Sequence, residues 1–346
     1  MLRNFGNFAA IMMEEVTELQ SYLAVPRDIT LIAHRNPDGD ALGSALGLRL
    51  YLEKKGHFVK IVMPSESPNI FSYLPHFYDV IVFDLRHDDA RAALKEADCI
   101  FCLDFNGLDR VDKLGATIQQ SEAVKVLIDH HLDPEPFVDH MFSDTEASST
   151  CELVYNFIEE MGDAHLVDEK IGECLFTGLI TDTGSFKYNT RPNTYNVAAK
   201  LKIAGVDDYK LNDTINNSLK PKNLKLLGHC LANRMEIMEE YGAAYIYLTK
   251  KDYVDFNIQR GDTEGIVNYM LMIKSVKVAA FITQQPSIVK ISLRSKGDIS
   301  VQKIASENFN GGGHKNASGG AQYGSLTDIL DKFKRVIPDY LPKIEA

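Results

Sequence analysis

The sequence contains no apolar run of the length that crosses a membrane. Its longest apolar stretches, such as DITLIAH and YMLMI, fall far short of the roughly 20 residues that a membrane-spanning helix needs. The opening residues, MLRNFGNFAAIMMEEV, have one Arg, a short apolar patch and then acidic residues, without a small-residue cleavage site. They therefore predict no signal peptide, and a cytoplasmic protein without a membrane partner is expected.

Cysteine is scarce and unpatterned. The chain has five cysteines, an odd number, and their spacing is not that of a disulfide framework. Cys99 and Cys102 form a lone CxxC inside the apolar run ADCIFCLD, where the two side chains of a strand point to opposite faces. Buried core positions are expected for both, rather than a zinc site or a redox pair, and reduced thiols fit a cytosolic protein.

Positive charge is in deficit. The chain has 37 Lys and Arg against 48 Asp and Glu, a formal net charge of −11, which argues against binding of long duplex nucleic acid. Residues 1–230 have 22 basic and 35 acidic residues, whereas residues 231–346 have 15 and 13. An acidic first part suits cations and a mildly basic second part suits an anionic substrate, although ordinary soluble surfaces would explain both.

The length of 346 residues predicts two domains. In the first half, short apolar strands alternate with helical stretches, which predicts an α/β domain with a mainly parallel sheet covered by helices. The second half mixes alternating strands such as GAAYIYL with helices, so a smaller mixed-sheet α/β domain is expected. The predicted layout is a catalytic domain over 1–190, a helical connector over 191–230 and a substrate domain over 231–346, with an active-site cleft between the domains.

Acidic and imidazole side chains follow the ends of several predicted elements. They are His34, Asp38 and Asp40 after DITLIA, Asp104 after ADCIFCL, Asp129, His130 and His131 after AVKVLI, and Asp182 after the helix CLFTGLIT. Ligands of open α/β sheets bind beyond the carboxyl ends of the strands, so these groups are expected at one edge. Each alone is equally typical of a turn or a helix cap. Together they would repel one another unless cations lay among them, and carboxylate with imidazole favours Mn²⁺ over Mg²⁺, Co²⁺ or Fe²⁺.

Several of these segments form ordered motifs. HRNPDGDALGS at 34–44, the strand end at Asp104, DHH at 129–131 and TDTG at 181–184 together resemble the DHH phosphoesterase family. GGGHKNASG at 311–319 resembles the DHH-associated domain of that family, so the resemblance covers nearly the whole chain. The two-domain layout is most similar to the oligoribonuclease branch, which acts on very short RNA (nanoRNA) and on adenosine 3′,5′-bisphosphate.

The resemblance implies two divalent metal ions, Mn²⁺ first, with Mg²⁺ or Co²⁺ as alternatives. The implied ligands are His34, Asp38 and Asp104 for one ion and Asp40, Asp104, His130 and Asp182 for the other, with Asp104 bridging both. None of these positions is substituted in this chain. Phe105 and Asn106 depart from the small or hydroxyl residues of many relatives, which affects the expected shape of the pocket but not the metal sites.

Further residues are expected to act on the substrate. Asp129 is expected to orient a histidine, and His131 to contact phosphate or protonate the leaving oxygen, with a merely packing histidine as the alternative. Arg110 could reach a phosphate oxygen or form an ordinary surface salt bridge. The resemblance implies that Gly312, Gly313 and His314, in a predicted glycine-rich loop, approach the scissile phosphate, while Arg294 holds a terminal phosphate or base.

The expected activity is two-metal hydrolysis of short oligoribonucleotides and of adenosine 3′,5′-bisphosphate. The nearest alternative is a phosphodiesterase for linear or cyclic dinucleotides, and a pyrophosphatase or exopolyphosphatase fits the GGGH domain less well. A nucleotide-binding regulator without activity would be marked by a lost metal ligand. A dinucleotide-binding oxidoreductase is excluded, because GxGxxG does not follow the first strand. The oligomeric state stays open, with a homodimer as one option.

Overall fold

The computed structural model describes residues 16–217, 219–259 and 261–343 and divides into two compact units, Met1–Ser218 and Leu219–Ala346. The division falls inside the segment predicted as a connector. The opening segment, for which no signal peptide is predicted, lies outside the described ranges up to residue 15. Within those ranges, no helix has the length and apolar character that a membrane crossing requires.

The first unit is built on a six-stranded parallel sheet in the order β3-β2-β1-β4-β5-β6. Its strands are β1 (Asp28–Ala33), β2 (Phe58–Met63), β3 (Ile81–Val82), β4 (Cys99–Leu103), β5 (Val124–Asp129) and β6 (His140–Ser143). Every residue of β4 is buried, because helices cover both faces of the sheet. This double burial explains why the central strands have continuous apolar sequences rather than alternating ones.

Helices form a layer on each face of this sheet. They are α1 (Gly39–Lys54), α2 (His87–Glu96), α3 (Leu114–Gln120), α4 (Thr150–Glu160), α5 (Glu169–Thr183), α6 (Pro192–Ile203) and α7 (Asp208–Asn216). Cys99 packs in the core that lies under α1, α4 and α5, whereas Cys102 packs in the core under α2 and α3. The predicted buried, oppositely directed positions of the two cysteines are therefore confirmed, and burial raises the pKa of Cys99 to about 12.

Glycines allow α1 and α5 to cross at very short range. A Cβ on Gly43 would lie 2.3 Å from the carbonyl oxygen of Cys174, and a Cβ on Gly39 would lie 2.5 Å from the side chain of Thr181. Real Cβ atoms do not approach other atoms so closely, so larger residues at either position would push the helices apart. The crossing brings the start of α1, which contains Asp40, beside the end of α5, which contains Asp182.

The second unit contains a six-stranded mixed sheet in the order β11-β12-β10-β9-β8-β7, in which only the β8–β9 pair is parallel among the described strands. Its strands are β7 (Met235–Met238), β8 (Ala243–Leu248), β9 (Val278–Gln284), β10 (Val289–Ser295), β11 (Gly312–His314) and β12 (Ala317–Gln322). Its helices are α8 (Pro221–His229), α9 (Lys250–Asp255), α10 (Ile266–Leu271), α11 (Val301–Asn308) and α12 (Leu326–Tyr340). The predicted fold class, a parallel α/β unit and a mixed-sheet α/β unit, is confirmed.

One predicted element of the second unit is wrong. The segment 311–319, predicted as a glycine-rich loop, forms most of the antiparallel hairpin β11–β12. Glycine permits this pairing, because a Cβ on Gly311 would lie 1.9 Å from the carbonyl oxygen of Gly319. The glycines therefore allow two backbones to approach closely, which their low strand propensity does not reveal.

Candidate metal centre

The strand order of the first unit reverses at its centre. From β1 the chain continues through β2 and β3 on one side, then returns to place β4 on the other side of β1. In open α/β sheets such a reversal leaves a crevice beyond the carboxyl ends of the two central strands. His34 follows β1, Asp104 follows β4 and His130 follows β5. Topology thus brings these three predicted site segments to one edge of the sheet.

The first group of potential ligands is His34, Asp38 and Asp104. One ligand atom from each lies within 4.8 Å of the others. Nε2 of His34 is 3.8 Å from Oδ2 of Asp38 and 3.4 Å from Oδ2 of Asp104. Burial works to lower the pKa of His34, but the two carboxylates outweigh it and raise the pKa to about 9. The other oxygen of Asp38 caps α1 by accepting hydrogen bonds from the amides of Asp40 and Ala41.

The second group is Asp40, His130 and Asp182, whose ligand atoms also lie within 4.8 Å of one another. Nε2 of His130 is 3.3 Å from Oδ2 of Asp182 and 3.8 Å from Oδ2 of Asp40. Nδ1 of the same ring is 3.2 Å from the carbonyl oxygen of Ala147, which can accept its proton. A histidine held in this way turns Nε2 toward the carboxylates, as in histidine ligands of metals.

Asp104 lies between the two groups and contacts both. Its Oδ2 faces Nε2 of His34, whereas its Oδ1 is 3.6 Å from Nε2 of His130. The backbone of Asp104 has φ +62°, in the left-handed region that non-glycine residues seldom adopt. The two oxygens of one buried carboxylate therefore point to different ligand groups, which is the arrangement that a bridging ligand requires.

The carboxylates of this site destabilise one another as anions. Burial first, and then the charge of Asp104, raises the pKa of Asp40 to about 7. Burial and Asp38 raise the pKa of Asp104 to about 6, and burial and Asp40 raise that of Asp182 to about 7. A cation among them would offset this repulsion. The site presents carboxylate and imidazole donors and no thiolate, since burial and Asp40 hold the pKa of the neighbouring Cys151 well above its usual value. The residues present therefore fit divalent ions.

A second chain of contacts links Asp129, His131 and Arg110. Nδ1 of His131 is 2.7 Å from Oδ1 of Asp129, and its Nε2 is 3.5 Å from Nη2 of Arg110. Burial, followed by the positive charges of His130 and Arg110, lowers the pKa of His131 to about 2. The ring is therefore neutral at pH 7, with its proton on Nδ1 and a lone pair on Nε2. The structure brings these three residues together beside Asp104, whose Oδ1 is 3.7 Å from Nδ1 of His131.

The remaining predicted residues lie in the second unit. Arg294 of β10 and His314 of β11 are both cross-strand partners of Ala317, on the strand between them. Cross-strand partners lie on the same face of a sheet, so Arg294 and His314 stand in one row, two strands apart. Gly312 and Gly313 belong to the same short strand as His314. The structure thus groups the four predicted substrate residues within one sheet.

The start of α4 contains contacts that the sequence did not indicate. Ser149 is the N-cap and accepts a hydrogen bond from the amide of Glu152. The amides of Thr150 and Cys151 donate to the carboxylate of Asp40, and the hydroxyl of Thr150 donates to Asp104. These partners lie 46 to 111 residues apart in the sequence, so no local pattern could reveal them.

The two residues that depart from the family pattern lie beside the centre. Phe105 is fully buried in the core under α2 and α3 and stacks on Phe137, with ring centroids 6.1 Å apart. Asn106 donates a hydrogen bond to the carbonyl oxygen of Leu132. Both side chains therefore stabilise the loops that follow β4 and β5, and Phe105 occupies the core rather than the ligand groups.

A parallel sheet covered on both faces, with carboxylates and imidazoles crowded beyond its strand ends, defines an α/β protein with an acidic, histidine-containing site. Residues 28–179 match the N-terminal domain of the DHH family, and residues 241–339 match the DHHA1 domain. The chain belongs to the DHH family, and the resemblance seen in its motifs is confirmed.

Three relatives illustrate the range of the family. The chain is 28% identical over 315 residues to the bifunctional oligoribonuclease and PAP phosphatase NrnA of Thermus thermophilus, covering 91% of this chain and 89% of that protein. It is 25% identical over 309 residues to the cyclic-di-AMP phosphodiesterase PdeA of Listeria monocytogenes, covering 86% of this chain but 45% of that protein. The crystal structure of an exopolyphosphatase-related protein from Bacteroides fragilis matches with a TM-score of 0.91 and 36% identity, covering 94% of this chain and 96% of that one.

Proposed function

We propose that this protein is a metal-dependent hydrolase of short oligoribonucleotides and of adenosine 3′,5′-bisphosphate. The observation that carries the proposal is the buried carboxylate of Asp104, whose two oxygens face two separate ligand groups. Membership of the DHH family and the similarity to an oligoribonuclease and PAP phosphatase over most of both chains support it.

We assign the ligands of two divalent ions, preferably Mn²⁺, to these groups. His34, Asp38 and Asp104 would hold one ion, and Asp40, Asp104, His130 and Asp182 the other. Two such ions would lower the pKa of a bound water. Their positive charge would also stabilise the attacking and leaving oxygens of an in-line displacement. The chain itself would hold these ligands in place, because α1 and α5 pack closely against each other and the donors to Asp40 are backbone amides.

His131, Asp129 and Arg110 would handle the phosphate and the leaving oxygen. Asp129 holds the proton of His131 on Nδ1, so Nε2 is the ring atom that can exchange a proton with substrate. An incoming phosphate brings negative charge beside the ring, which favours the protonated form. Once Nε2 has taken up a proton from solvent water, His131 would donate that proton to the leaving oxygen, while Arg110, 3.5 Å from the same nitrogen, would donate to a phosphate oxygen.

The second unit would recognise the nucleotide. His314, Gly312 and Gly313 would contact the scissile phosphate, and Arg294, in the same row of the sheet as His314, would hold a terminal phosphate or base. An Arg provides planar paired donors that match phosphate oxygens, which a lysine does not. A cleft between the two units for such a substrate remains a prediction.

The runner-up substrate is a linear or cyclic dinucleotide. It draws support from the similarity to a cyclic-di-AMP phosphodiesterase, but this chain spans less than half of that protein. Pyrophosphate and polyphosphate fit less well, because they offer Arg294 a terminal phosphate but no base. A nucleotide-binding regulator without activity fits poorly, because all six proposed ligand positions retain a ligand side chain.

A substrate panel with the full-length protein and Mn²⁺ tests the proposal. The panel contains an RNA dinucleotide, longer RNA oligomers, adenosine 3′,5′-bisphosphate, cyclic di-AMP and pyrophosphate. We expect turnover of the dinucleotide and the bisphosphate, falling rates with longer RNA, and no turnover after chelation of the metal. Preferred cleavage of cyclic di-AMP would establish the runner-up instead, and full activity under chelation would overturn the metal-dependent mechanism.

A further inference from the structure

The first residue of α4, Thr150, contacts both ligand groups of the metal centre. Its backbone amide donates to Oδ2 of Asp40 at 2.6 Å, and its side-chain hydroxyl donates to Oδ1 of Asp104 at 2.9 Å. All three residues are buried. Asp40 belongs to the second ligand group, and Asp104 lies between both groups. Thr150 therefore holds the carboxylates of Asp40 and Asp104 in fixed positions relative to each other.

The first backbone amides of α4 find their hydrogen-bond acceptors outside the helix. The first amides of a helix have no acceptor within the helix. The amide of Glu152 donates to the Ser149 hydroxyl, while the amides of Thr150 and Cys151 donate to the two oxygens of Asp40. The helix therefore holds both oxygens of Asp40 with backbone groups, and the partial positive charge of its N-terminus favours the ionised carboxylate.

A buried carboxylate fixes the position of this helix start from the other side. Glu152 accepts hydrogen bonds from the amide and the hydroxyl of Ser148 and from the hydroxyl of Thr194. It also accepts from Nε of Arg191 at 2.7 Å and from Nδ2 of Asn193 at 2.9 Å. Because Ser148 contributes two of these donors, a shift of Ser148 and the first turn of α4 would break buried hydrogen bonds to a charged group, which is unfavourable.

We propose that Thr150 is a positioning residue of the metal centre. Its hydroxyl fixes the rotation of the Asp104 carboxylate, so that Oδ2 faces His34 and Oδ1 faces His130. The inference rests on the proposed function, since it assumes that the two ligand groups bind divalent ions. Groups that hydrogen-bond a metal ligand orient it before the ion arrives, and their loss typically reduces metal affinity by about 10- to 100-fold.

The test compares three variants of the full-length protein. Thr150→Val removes the hydroxyl but keeps the size and the backbone amide, and Thr150→Ser keeps the hydroxyl. Thr30→Val is the matched control, because Thr30 is buried in the same unit and its hydroxyl donates to the carbonyl oxygen of Ala93 at 2.9 Å, outside the ligand groups. Mn²⁺ binding is measured by isothermal titration calorimetry, and folding by thermal unfolding of the metal-free protein.

We expect Thr150→Val to bind Mn²⁺ about 10- to 100-fold more weakly, and Thr150→Ser to stay close to the unchanged protein. Thr30→Val is expected to lose thermal stability without losing Mn²⁺ affinity. Dinucleotide hydrolysis by Thr150→Val should recover in part at high Mn²⁺, because the defect is one of affinity. Equal Mn²⁺ affinity of Thr150→Val and the unchanged protein would overturn the positioning role, as would an equal loss in Thr30→Val. Failure of the unchanged protein to bind Mn²⁺ would instead overturn the proposed function.

Discussion

A single aspartate shows how much chemistry one side chain can concentrate in this protein. Asp104 directly follows β4, turns the chain through a left-handed conformation and accepts a hydrogen bond from Thr150. Asp and Asn tolerate this conformation better than other residues with side chains. Its backbone and its carboxylate therefore serve the same site, since the turn directs the carboxylate toward His34 and His130.

Replacing Asp104 should remove both ions, whereas replacing Asp38 should spare one. Asp104→Ala takes one ligand from each proposed site, but Asp38 belongs to the first group only. We expect metal analysis after desalting to find no tightly bound ion in Asp104→Ala and one ion in Asp38→Ala. Two tightly bound ions in Asp104→Ala would disprove the bridging role, and loss of both in Asp38→Ala would show that the sites depend on each other.

Asp252 offers a pH-dependent test away from the metal centre. It is buried in the second unit, and Arg234 donates to both of its oxygens at 2.9 and 3.0 Å. Burial works to raise the pKa of Asp252, but Arg234 and Thr249 outweigh it and lower the pKa below its usual value. The folded protein thus binds this proton less readily than the unfolded chain. Its stabilising contribution is present above about pH 4 and is lost as the pH falls further.

Asp252→Asn should therefore reduce stability at neutral pH and matter less in acid. We expect a loss of about 1–3 kcal/mol in the free energy of unfolding at pH 7, narrowing below about pH 4. Thermal unfolding across this pH range measures the difference. Asp255→Asn is the control, because its ion pair with Lys251 is exposed and should be worth less than about 1 kcal/mol. A loss of unfolding free energy in Asp252→Asn that does not change with pH would contradict the lowered pKa of Asp252.

Secondary-structure elements could be predicted from the sequence where they are long and mostly buried, but not where they are short and half-buried. Strands β1, β4 and β5 are mostly apolar and mostly buried, so each could be predicted from the chain. β3 and β6 were not predicted, since they have two and four residues and are mostly half-buried. The sequence predicts a loop where the hairpin β11–β12 forms, because glycine has a low strand propensity and its role here, the close approach of neighbouring strands, leaves no local pattern.

The three successive glycines Gly311, Gly312 and Gly313 differ in whether the folded structure requires glycine at that position. A Cβ on Gly311 would collide with the carbonyl oxygen of Gly319, and Gly313 has φ +135° with the carbonyl oxygen of Ala317 2.7 Å from a Cβ. A Cβ on Gly312 would meet no atom of the described residues within 4 Å. Of these three glycines, Gly312 alone lacks a steric reason to be glycine, which suits a position that substrate approaches.

Alanine at Gly311 should therefore affect stability, whereas alanine at Gly312 should affect activity. We expect Gly311→Ala to lower the unfolding temperature strongly, because overpacking of this severity costs about 1–3 kcal/mol or more. Gly312→Ala should keep the unfolding temperature but reduce kcat/KM for the dinucleotide by about tenfold or more, the order of one lost contact to a charged group. Thermal unfolding and dinucleotide kinetics on both variants measure this. Unchanged kinetics in Gly312→Ala would remove this glycine from the substrate site.

The chain consists of two units with separate hydrophobic cores, and the proposed site residues are distributed over both. The order of the motifs indicated all six proposed metal ligands, because each lies at or just after a recognisable strand or helix end. The supporting residues Thr150 and Glu152 could not be found this way, since their partners come from distant segments. The proposed acidic ligands belong to the first unit, and the predicted anion contacts Arg294 and His314 belong to the second.

This division predicts that the second unit selects substrates by length. If Arg294 holds a terminal phosphate or the far nucleotide, a dinucleotide can satisfy that contact and the metal ligands together. A longer strand would have to continue past the guanidinium, at the loss of that contact. A charge-assisted hydrogen bond of this type contributes roughly 1.5–3 kcal/mol, which is about 10- to 150-fold in kcat/KM.

Arg294→Ala should accordingly weaken hydrolysis of a dinucleotide by about 10- to 150-fold while leaving Mn²⁺ content unchanged. A phosphate ester without a nucleotide should be hydrolysed at nearly the original rate, because it makes no contact with Arg294. Lys290→Ala is the control: Lys290 is an exposed cation on the same strand, four residues away, and its loss should affect both substrates little. If Arg294→Ala slows dinucleotide, long oligomer and simple ester equally, length is not selected by this arginine, and the second unit must hold its substrate through other residues.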